Sequence, residues 1–169
     1  MNLETEGSSR VQPEHTETYV AFRSAIPKPP SEETHLRHIL RFYIARALQK
    51  RGPGDIYVLP EIDVGDRRVS VDVVAALPEG RYIVAICEPE SVTQETEDLL
   101  ELFKDMDDVE VIVVYSQYGE SGSVMERFQQ QLESGKFHLL TVVPPPFDDV
   151  YEYDIWMFET TFRNIFERE

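Results

Sequence analysis

Apolar side chains recur at helical spacing in the first strongly patterned segment of the chain. The stretch SEETHLRHILRFYIARALQKRG starts at Ser31, a residue type that caps helices, continues with two glutamates and ends at Gly52. The apolar positions that share one face at helical periodicity are Leu36, Ile39, Leu40, Tyr43, Ile44, Ala47 and Leu48. This segment is therefore predicted to form an amphipathic helix.

Segments with strand-like alternation follow this helix, with turn residues between them. They are DIYVLPEIDV, RRVSVDVVAAL and RYIVAICEPE, separated by Gly65-Asp66 and by Pro78-Glu79-Gly80. Such short connections join neighbouring strands that run in opposite directions. The pattern predicts an antiparallel meander.

The turns also predict which residues face each other in this meander. If Gly65-Asp66 is a two-residue turn, counting back along both strands places Leu59 opposite Asp72. One sheet face then collects the polar side chains of Glu61, Asp63, Arg68, Ser70 and Asp72. The other face receives Ile62, Val64, Val69, Val71 and Val73. A three-residue second loop places Asp72 opposite Glu88, so two acids are expected to meet across the sheet.

The rest of the chain alternates between helical and strand-like patterns. Helices are expected in TQETEDLLELFKDM, around Phe128 and around Phe162, and strands in VEVIVVY and FHLLTVV. The predicted fold class is α/β, a mixed sheet in which the antiparallel meander is followed by a β-α-β crossover, with helices on both faces. Residues 1–30 are polar and rich in proline, and are predicted to form a partly flexible arm before a single domain at 31–169.

Charge and composition narrow the possible environments and partners. The chain has 32 acidic residues against 16 basic ones, a formal net charge of -16, which disfavours nonspecific coating of nucleic acid. Cys87 is the single cysteine, so an internal disulfide is excluded. With no long apolar span and no signal-like start, the protein is expected to be cytoplasmic and not bound to membranes.

Two segments stand out as candidate interaction surfaces. The predicted first helix carries the densest basic cluster, including Arg37, Arg41 and Arg46, which suits either contact with nucleic-acid phosphates or pairing with acids elsewhere in the fold. The acidic composition favours pairing. The predicted C-terminal helix carries aromatic residues that favour capping the sheet or joining two subunits, so a homodimer or another protein partner is possible there.

The order of elements resembles that of a known family. A helix, a meander with VDVV on its middle strand and acids at Glu88 and Glu90 on its third, then helix and strand, is similar to the PD-(D/E)XK nuclease superfamily, whose fold is restriction endonuclease-like. The resemblance covers about half of the chain. It implies that Asp72 takes the aspartate role, that Glu88 is the acid of the tripeptide, and that Glu90 replaces the usual lysine. The implied activity is metal-dependent hydrolysis of phosphodiester bonds in nucleic acid.

Converging carboxylates would need neutralisation. Two carboxylates about 4 Å apart repel by roughly 4 kcal/mol at an effective dielectric constant near 20. A hard cation such as Mg²⁺ or Mn²⁺ would relieve this repulsion, and its candidate ligands are Asp72, Glu88 and Glu61. In the mechanism that the resemblance implies, Glu90 or a water on the metal provides the base.

Structural interpretations of the same residues stay open at this stage. Asp72 suits a strand acid that is satisfied by a backbone or arginine partner, and Glu88 and Glu90 suit a solvated strand end. Asp63 is most simply the cross-strand partner of Arg68. Because the lysine is missing, the alternative function is a catalytically inactive nuclease-like domain that acts as a protein-interaction or binding module.

Overall fold

The computed structural model describes residues 2–3, 10–11, 35–51 and 54–142. The helices in these ranges are α1 (His35–Arg51), α2 (Gln94–Phe103), α3 (Val124–Arg127) and α4 (Gln129–Glu133). The helix expected around Phe128 is divided into α3 and α4, because Phe128 has the non-helical angles φ -119° and ψ 32°. The predicted cap at Ser31 and the predicted C-terminal helix lie outside the described residues.

The described strands form two sheets. They are β1 (Asn2–Leu3), β2 (Asp55–Val58), β3 (Glu61–Val64), β4 (Arg67–Ser70), β5 (Val73–Ala76), β6 (Tyr82–Cys87), β7 (Val109–Ser116) and β8 (Phe137–Val142). The larger sheet has the order β2-β5-β6-β7-β8, and a small antiparallel sheet has the order β1-β3-β4. In the larger sheet the pairs β2–β5 and β5–β6 are antiparallel, whereas the pairs β6–β7 and β7–β8 are parallel. The predicted α/β class, with a meander followed by a β-α-β crossover, is confirmed.

The register predicted for the first hairpin is confirmed. Val64 lies opposite Arg67 and Asp63 opposite Arg68, and the same register continues from β3–β4 into β2–β5, where Val58 lies opposite Val73. At the transition the Leu59 amide donates to the carbonyl of Asp72 at 2.8 Å. The two long predicted strands are therefore each interrupted in the middle without a slip in pairing.

The interruption changes which face of the sheet each side chain occupies. Leu59 has a positive φ of 52° and is followed by Pro60, so the alternation of side chains is reset there. On the partner strand, Val71 and Val73 are two positions apart but belong to different apolar layers. The prediction that Asp72 shares one polar face with Glu61 and Asp63 is therefore wrong.

The register predicted for the second hairpin is also wrong. Ala76 pairs with Tyr82 and Val73 with Ala85, so the same register continued by one residue places Asp72 opposite Ile86 instead of Glu88. The loop is longer than predicted, because Pro78–Gly80 forms a short 3-10 helix and the Leu77 amide closes the loop by donating to the carbonyl of Arg81. This shift of two positions separates the two acids along the strands.

Alternate residues of the central strands contribute their side chains to two apolar layers on opposite faces of the sheet. The α1 layer contains Leu40, Ile44 and Leu48 of α1 together with Val58, Val73, Ala85 and Ile112 of the sheet. The α2 layer contains Leu100 and Phe103 of α2 together with Val74, Val84, Val111 and Phe128. Helices thus cover both faces, as predicted. Within the described part of the chain, no helix is long and apolar enough to cross a membrane.

Candidate functional site

The carboxylate of Asp72 lies in a buried ion-pair network with two arginines of α1. Arg37 approaches it in a bidentate arrangement, with Nε 3.2 Å from Oδ1 and Nη2 3.2 Å from Oδ2. Arg41 donates to Oδ1 from Nε at 3.1 Å and from Nη2 at 2.9 Å. The backbone amide of Cys87 donates to Oδ2 at 2.7 Å. Both oxygens of Asp72 therefore accept hydrogen bonds from protein donors.

The sequence brings these groups together for identifiable reasons. Arg37 and Arg41 are four residues apart, so they lie on the same side of α1, one turn from each other. The interruption of the hairpin at Val71–Asp72 turns the Asp72 side chain toward α1. The side chains of Asp72 and Arg41 each have an exposed fraction of 1%, whereas that of Arg37 is 36% exposed and closes the network at its outer side.

Electrostatics in this network favour the charged arginine. Burial by itself lowers the pKa of Arg37, but attraction to the Asp72 carboxylate and hydrogen bonding to it outweigh this effect and raise the pKa above its ordinary value. Glu88 adds a weaker attraction to the same guanidinium. α1 therefore supplies the positive charge beside Asp72, and the Arg37 guanidinium stays protonated.

Glu88 has a different set of partners, at the first turn of α2. Its Oε2 accepts hydrogen bonds from the amide of Thr93 at 2.6 Å and from Oγ1 of Thr96 at 3.0 Å. Thr93 is the N-cap of α2, and its own Oγ1 accepts from the amide of Thr96. The side chain of Glu88 is buried. Glu88 therefore extends the cap of α2, where a negative charge also complements the helix dipole.

Glu90 lies on an exposed loop that is fixed by its backbone. Its carbonyl accepts from the amide of Ser116 at 3.1 Å, and a Cβ added to Gly119 would lie only 2.1 Å from the same oxygen. The Val92 amide likewise donates to the carbonyl of Glu120 at 2.9 Å. The segment that contains Gly119 is thus a loop packed against the segment that joins β6 to α2. This loop, SQYGESGS, leads into α3 at Val124.

Glu61 belongs to the solvent-exposed hairpin and not to the buried network. Its Oε2 accepts from Nε of Arg68 at 3.0 Å, and its side chain is 61% exposed. Asp63 lies opposite Arg68 in the strand pairing and is also exposed. The hairpin face that carries these residues is a solvated surface with paired charges.

The observed arrangement does not fit a shared divalent cation. Asp72 points into the α1 layer, Glu88 toward α2 on the opposite side of the sheet, and Glu61 into solvent. Among the described residues, no group of three or more histidine, cysteine, aspartate or glutamate side chains is placed to hold a metal ion. The oxygens that Mg²⁺ would need from Asp72 already accept bonds from arginine.

The arginines proposed for contact with nucleic acid are mostly inside the protein. Arg41 and Arg46 are buried, and Nη1 of Arg46 donates to Oε1 of Gln49 at 2.8 Å. A phosphate on the surface cannot reach either guanidinium in this arrangement. The alternative that the basic residues of this helix pair with acids of the fold is confirmed for Arg37 and Arg41.

The sequence suggested a backbone or arginine partner for Asp72 but not which residues supply it, and it did not identify the partners of Glu88, although signals for both are present. The spacing of Arg37 and Arg41 marks one helix face, but the sequence does not show which strand acid that face meets. Thr93 precedes a run of helix-forming residues, which is typical of an N-cap, and Glu88 is five residues before it. The predictions for Glu88 were a solvated strand end or a metal ligand, and not part of a helix cap.

Comparisons with known proteins find similarity to solved structures but not to family models or curated sequences. No protein-family model matches the chain, and a search of curated proteins finds no match. The chain is similar to a repair endonuclease from Pyrococcus abyssi, with 16% identity and a TM-score of 0.38, over 70% of this chain and 50% of that one. It is similar to EndoMS in an EndoMS-dsDNA2 complex, with 15% identity and a TM-score of 0.43, over 71% of this chain and 51% of that one. The chain spans about half the length of each protein.

Proposed function

We propose that this protein is a nuclease-like domain that does not hydrolyse phosphodiester bonds and instead acts as a protein-interaction module. The element order on which the family resemblance rests is present in the fold, with α1 followed by the meander and the crossover. The observation that carries the proposal is that Arg37 and Arg41 already donate hydrogen bonds to the carboxylate oxygens of Asp72. In a metal-dependent site this carboxylate would have to coordinate the cation.

A divalent cation at Asp72 would have to displace the guanidinium groups of Arg37 and Arg41 or bind beside them. Two unit charges about 4 Å apart interact by roughly 4 kcal/mol at an effective dielectric constant near 20, and a doubly charged ion doubles this value for each guanidinium beside it. Arg41 is buried together with Asp72, so it cannot move its charge into water without unpacking α1. The network therefore opposes binding of Mg²⁺ at Asp72.

The remaining acids do not supply a substitute site. Glu88 accepts hydrogen bonds from the Thr93 amide and the Thr96 hydroxyl at the start of α2. Glu61 is paired with Arg68 on the hairpin surface. Glu90 is exposed and has a carboxylate where the resemblance implies a lysine. These contacts support a structural use of the acids that the resemblance assigns to catalysis.

The net charge supports a protein partner over nucleic acid. A surface with a formal net charge of -16 repels phosphate backbones, and it attracts positively charged segments of other proteins. The buried positions of Arg41 and Arg46 remove two of the cations that could have offset this repulsion locally.

A cleavage assay tests the proposal. The purified protein would be incubated with single-stranded, duplex and branched DNA and with RNA, in Mg²⁺ or Mn²⁺, beside the variant Glu90→Gln. Because Glu90 is exposed, this variant should fold like the parent protein and serves as a matched control. We expect no cleavage by either protein. Cleavage that is present in the parent and lost in Glu90→Gln would contradict the proposal. Equal cleavage by both proteins that co-elutes with the protein through two successive chromatography steps would also contradict it, because a water on a metal can act as the base without Glu90.

A further inference from the structure

A cleft lies between strand β4 and helix α2, away from the Asp72 network. Its volume is about 320 Å³, which is within the range of ligand-binding pockets. The cleft is lined by the four residues of β4 (Arg67–Ser70) and by Glu95, Asp98, Leu99 and Leu102 of α2. Arg68 of the strand is ion-paired with Glu61, with Nε 3.0 Å from Oε2. The described hydrogen-bond partners of Asp72 and Glu88 do not include any residue of this cleft.

The cleft follows the edge of β4. All of β4 (Arg67–Ser70) lines it, although successive side chains of a strand point to opposite faces. A cleft that touches every residue of a strand therefore runs along the edge of that strand. In the described part of the chain, β4 has a neighbouring strand on one side only, which is β3. Edges of this kind accept an extended segment from another chain.

The chemistry of the two walls specifies what such a segment would carry. Leu99 and Leu102 are half-buried and provide an apolar floor, while the carboxylates of Glu95 and Asp98 are exposed at the helix side. A lysine or arginine side chain fits this combination, because its aliphatic stem covers apolar surface while its charged end meets carboxylates. The formal net charge of -16 adds long-range attraction for a basic segment.

We infer that this cleft is the docking site for an extended basic segment of a partner protein, which lies along β4 and places a lysine or arginine between Glu95 and Asp98. This inference rests on the proposed function, since it names the surface and the kind of partner of the interaction module. Arg67, exposed on the strand side, then faces an acidic or polar position of the same segment.

A titration with defined peptides tests the inference. The probes are the synthetic hexapeptide acetyl-Thr-Val-Lys-Val-Lys-Thr-amide and the same peptide with both lysines replaced by glutamate. Each would be added to isotopically labelled protein while the backbone amide resonances are followed. With the lysine peptide we expect saturable shifts at Ser70, Asp98 and Leu99 below about 1 mM, and binding at least tenfold weaker with the glutamate peptide.

Matched variants distinguish peptide binding at the cleft from nonspecific attraction of the peptide to an acidic protein. Asp98 and Glu133 are both exposed helix acids that accept a hydrogen bond from a glutamine four residues earlier, at 2.9 Å from Gln94 and 3.0 Å from Gln129. Asp98→Lys and Glu133→Lys therefore make the same change in net charge in similar surroundings. We expect Asp98→Lys to weaken lysine-peptide binding at least tenfold and Glu133→Lys to weaken it less than threefold.

Three results would overturn the docking site: no saturable shift with the lysine peptide, equal binding of both peptides, or equal effects of Asp98→Lys and Glu133→Lys. The cleavage assay reports separately on the proposed function. Cleavage that co-purifies with the protein would remove that function, whatever the result of the peptide titration. Failure of peptide binding without cleavage would remove only the docking site.

Discussion

Asp72 illustrates how one buried carboxylate can serve either a metal or an arginine. Burying an unpaired carboxylate costs several kcal/mol, so its position in the fold requires a positive partner but does not specify which. Here the partner is supplied from within the chain by Arg37 and Arg41, and the Cys87 amide completes the arrangement. The family resemblance therefore implied catalysis at a residue whose contacts are those of a structural ion pair.

Replacing Asp72 by asparagine should destabilise the protein strongly. The Asp72→Asn variant keeps the size of the side chain but leaves the buried guanidinium of Arg41 without its counter-charge, which typically costs about 3–5 kcal/mol. Glu61→Gln is the control, because it removes an exposed partner of Arg68 and should cost no more than about 1 kcal/mol. Urea unfolding of the three proteins gives both values. Similar losses in the two variants would show that the Asp72 network contributes little.

Lys136 provides a prediction about pH. Its Nζ donates to the carbonyls of Met106 and Val109, and burial lowers its pKa despite the opposing attraction of nearby carboxylates such as Asp107. The unfolded chain therefore binds more protons than the folded protein between the lowered pKa and the ordinary lysine value, so stability rises with pH across this window.

The comparison with Lys136→Met isolates this effect from other titrating groups. As the pH is raised from about 8 toward about 10.5, the free energy of unfolding of the parent protein should increase relative to that of the variant. Urea unfolding at a series of pH values measures the difference. A difference that stays constant, or that falls with rising pH, would contradict the lowered pKa.

At the scale of elements, local signals predicted the pairing of strands that tight turns connect. Gly65-Asp66 fixed the hairpin register, and hydrophobic periodicity located α1, α2 and the parallel strands. The break at Leu59 was not predictable, because a positive φ at leucine is imposed by the surrounding fold and not by its own preference. The second loop was misjudged, since a 3-10 turn at Pro78–Gly80 and a shorter loop have similar sequence signatures.

The candidate site was less predictable than the fold for a related reason. The pattern predicted that Asp72 and Glu88 lie in two neighbouring strands, whereas Asp72 precedes β5 and Glu88 follows β6. The side of the sheet that each carboxylate faces depends on the break before β5 and on the end of β6. Contacts between α1 and the sheet join residues that are distant in sequence. The pairing of Arg41 with Asp72, which are 31 residues apart, could therefore be expected only as a general possibility.

The two acids on either side of Pro89 should differ sharply in their effect on stability. Glu88→Ala removes the acceptor for the Thr93 amide and the Thr96 hydroxyl, and should cost about 1–3 kcal/mol. Glu90→Ala removes an exposed side chain and should change the free energy of unfolding by less than about 0.5 kcal/mol. Thermal or urea unfolding distinguishes the two. Equal effects would show that Glu88 does not support α2.

At the scale of the whole molecule, the excess of acids determines how the protein responds to salt. Its formal net charge of -16 makes the folded state repel itself, while the inner ion pairs such as Arg41–Asp72 are shielded from solvent ions. Raising the NaCl concentration from about 0.05 M to about 1 M should therefore raise the midpoint of thermal unfolding. A midpoint that falls with salt would indicate that exposed ion pairs dominate instead.

The most direct test of the central claim, that arginines and not a metal neutralise Asp72, is a titration with paramagnetic Mn²⁺. Amide resonances of isotopically labelled protein would be followed up to about 1 mM Mn²⁺. We predict no saturable broadening centred on the amides of Asp72, Cys87 and Glu88, because the Asp72 oxygens accept from Arg37 and Arg41. Saturable broadening at these amides that is lost in Glu88→Gln would contradict the account and restore a metal site.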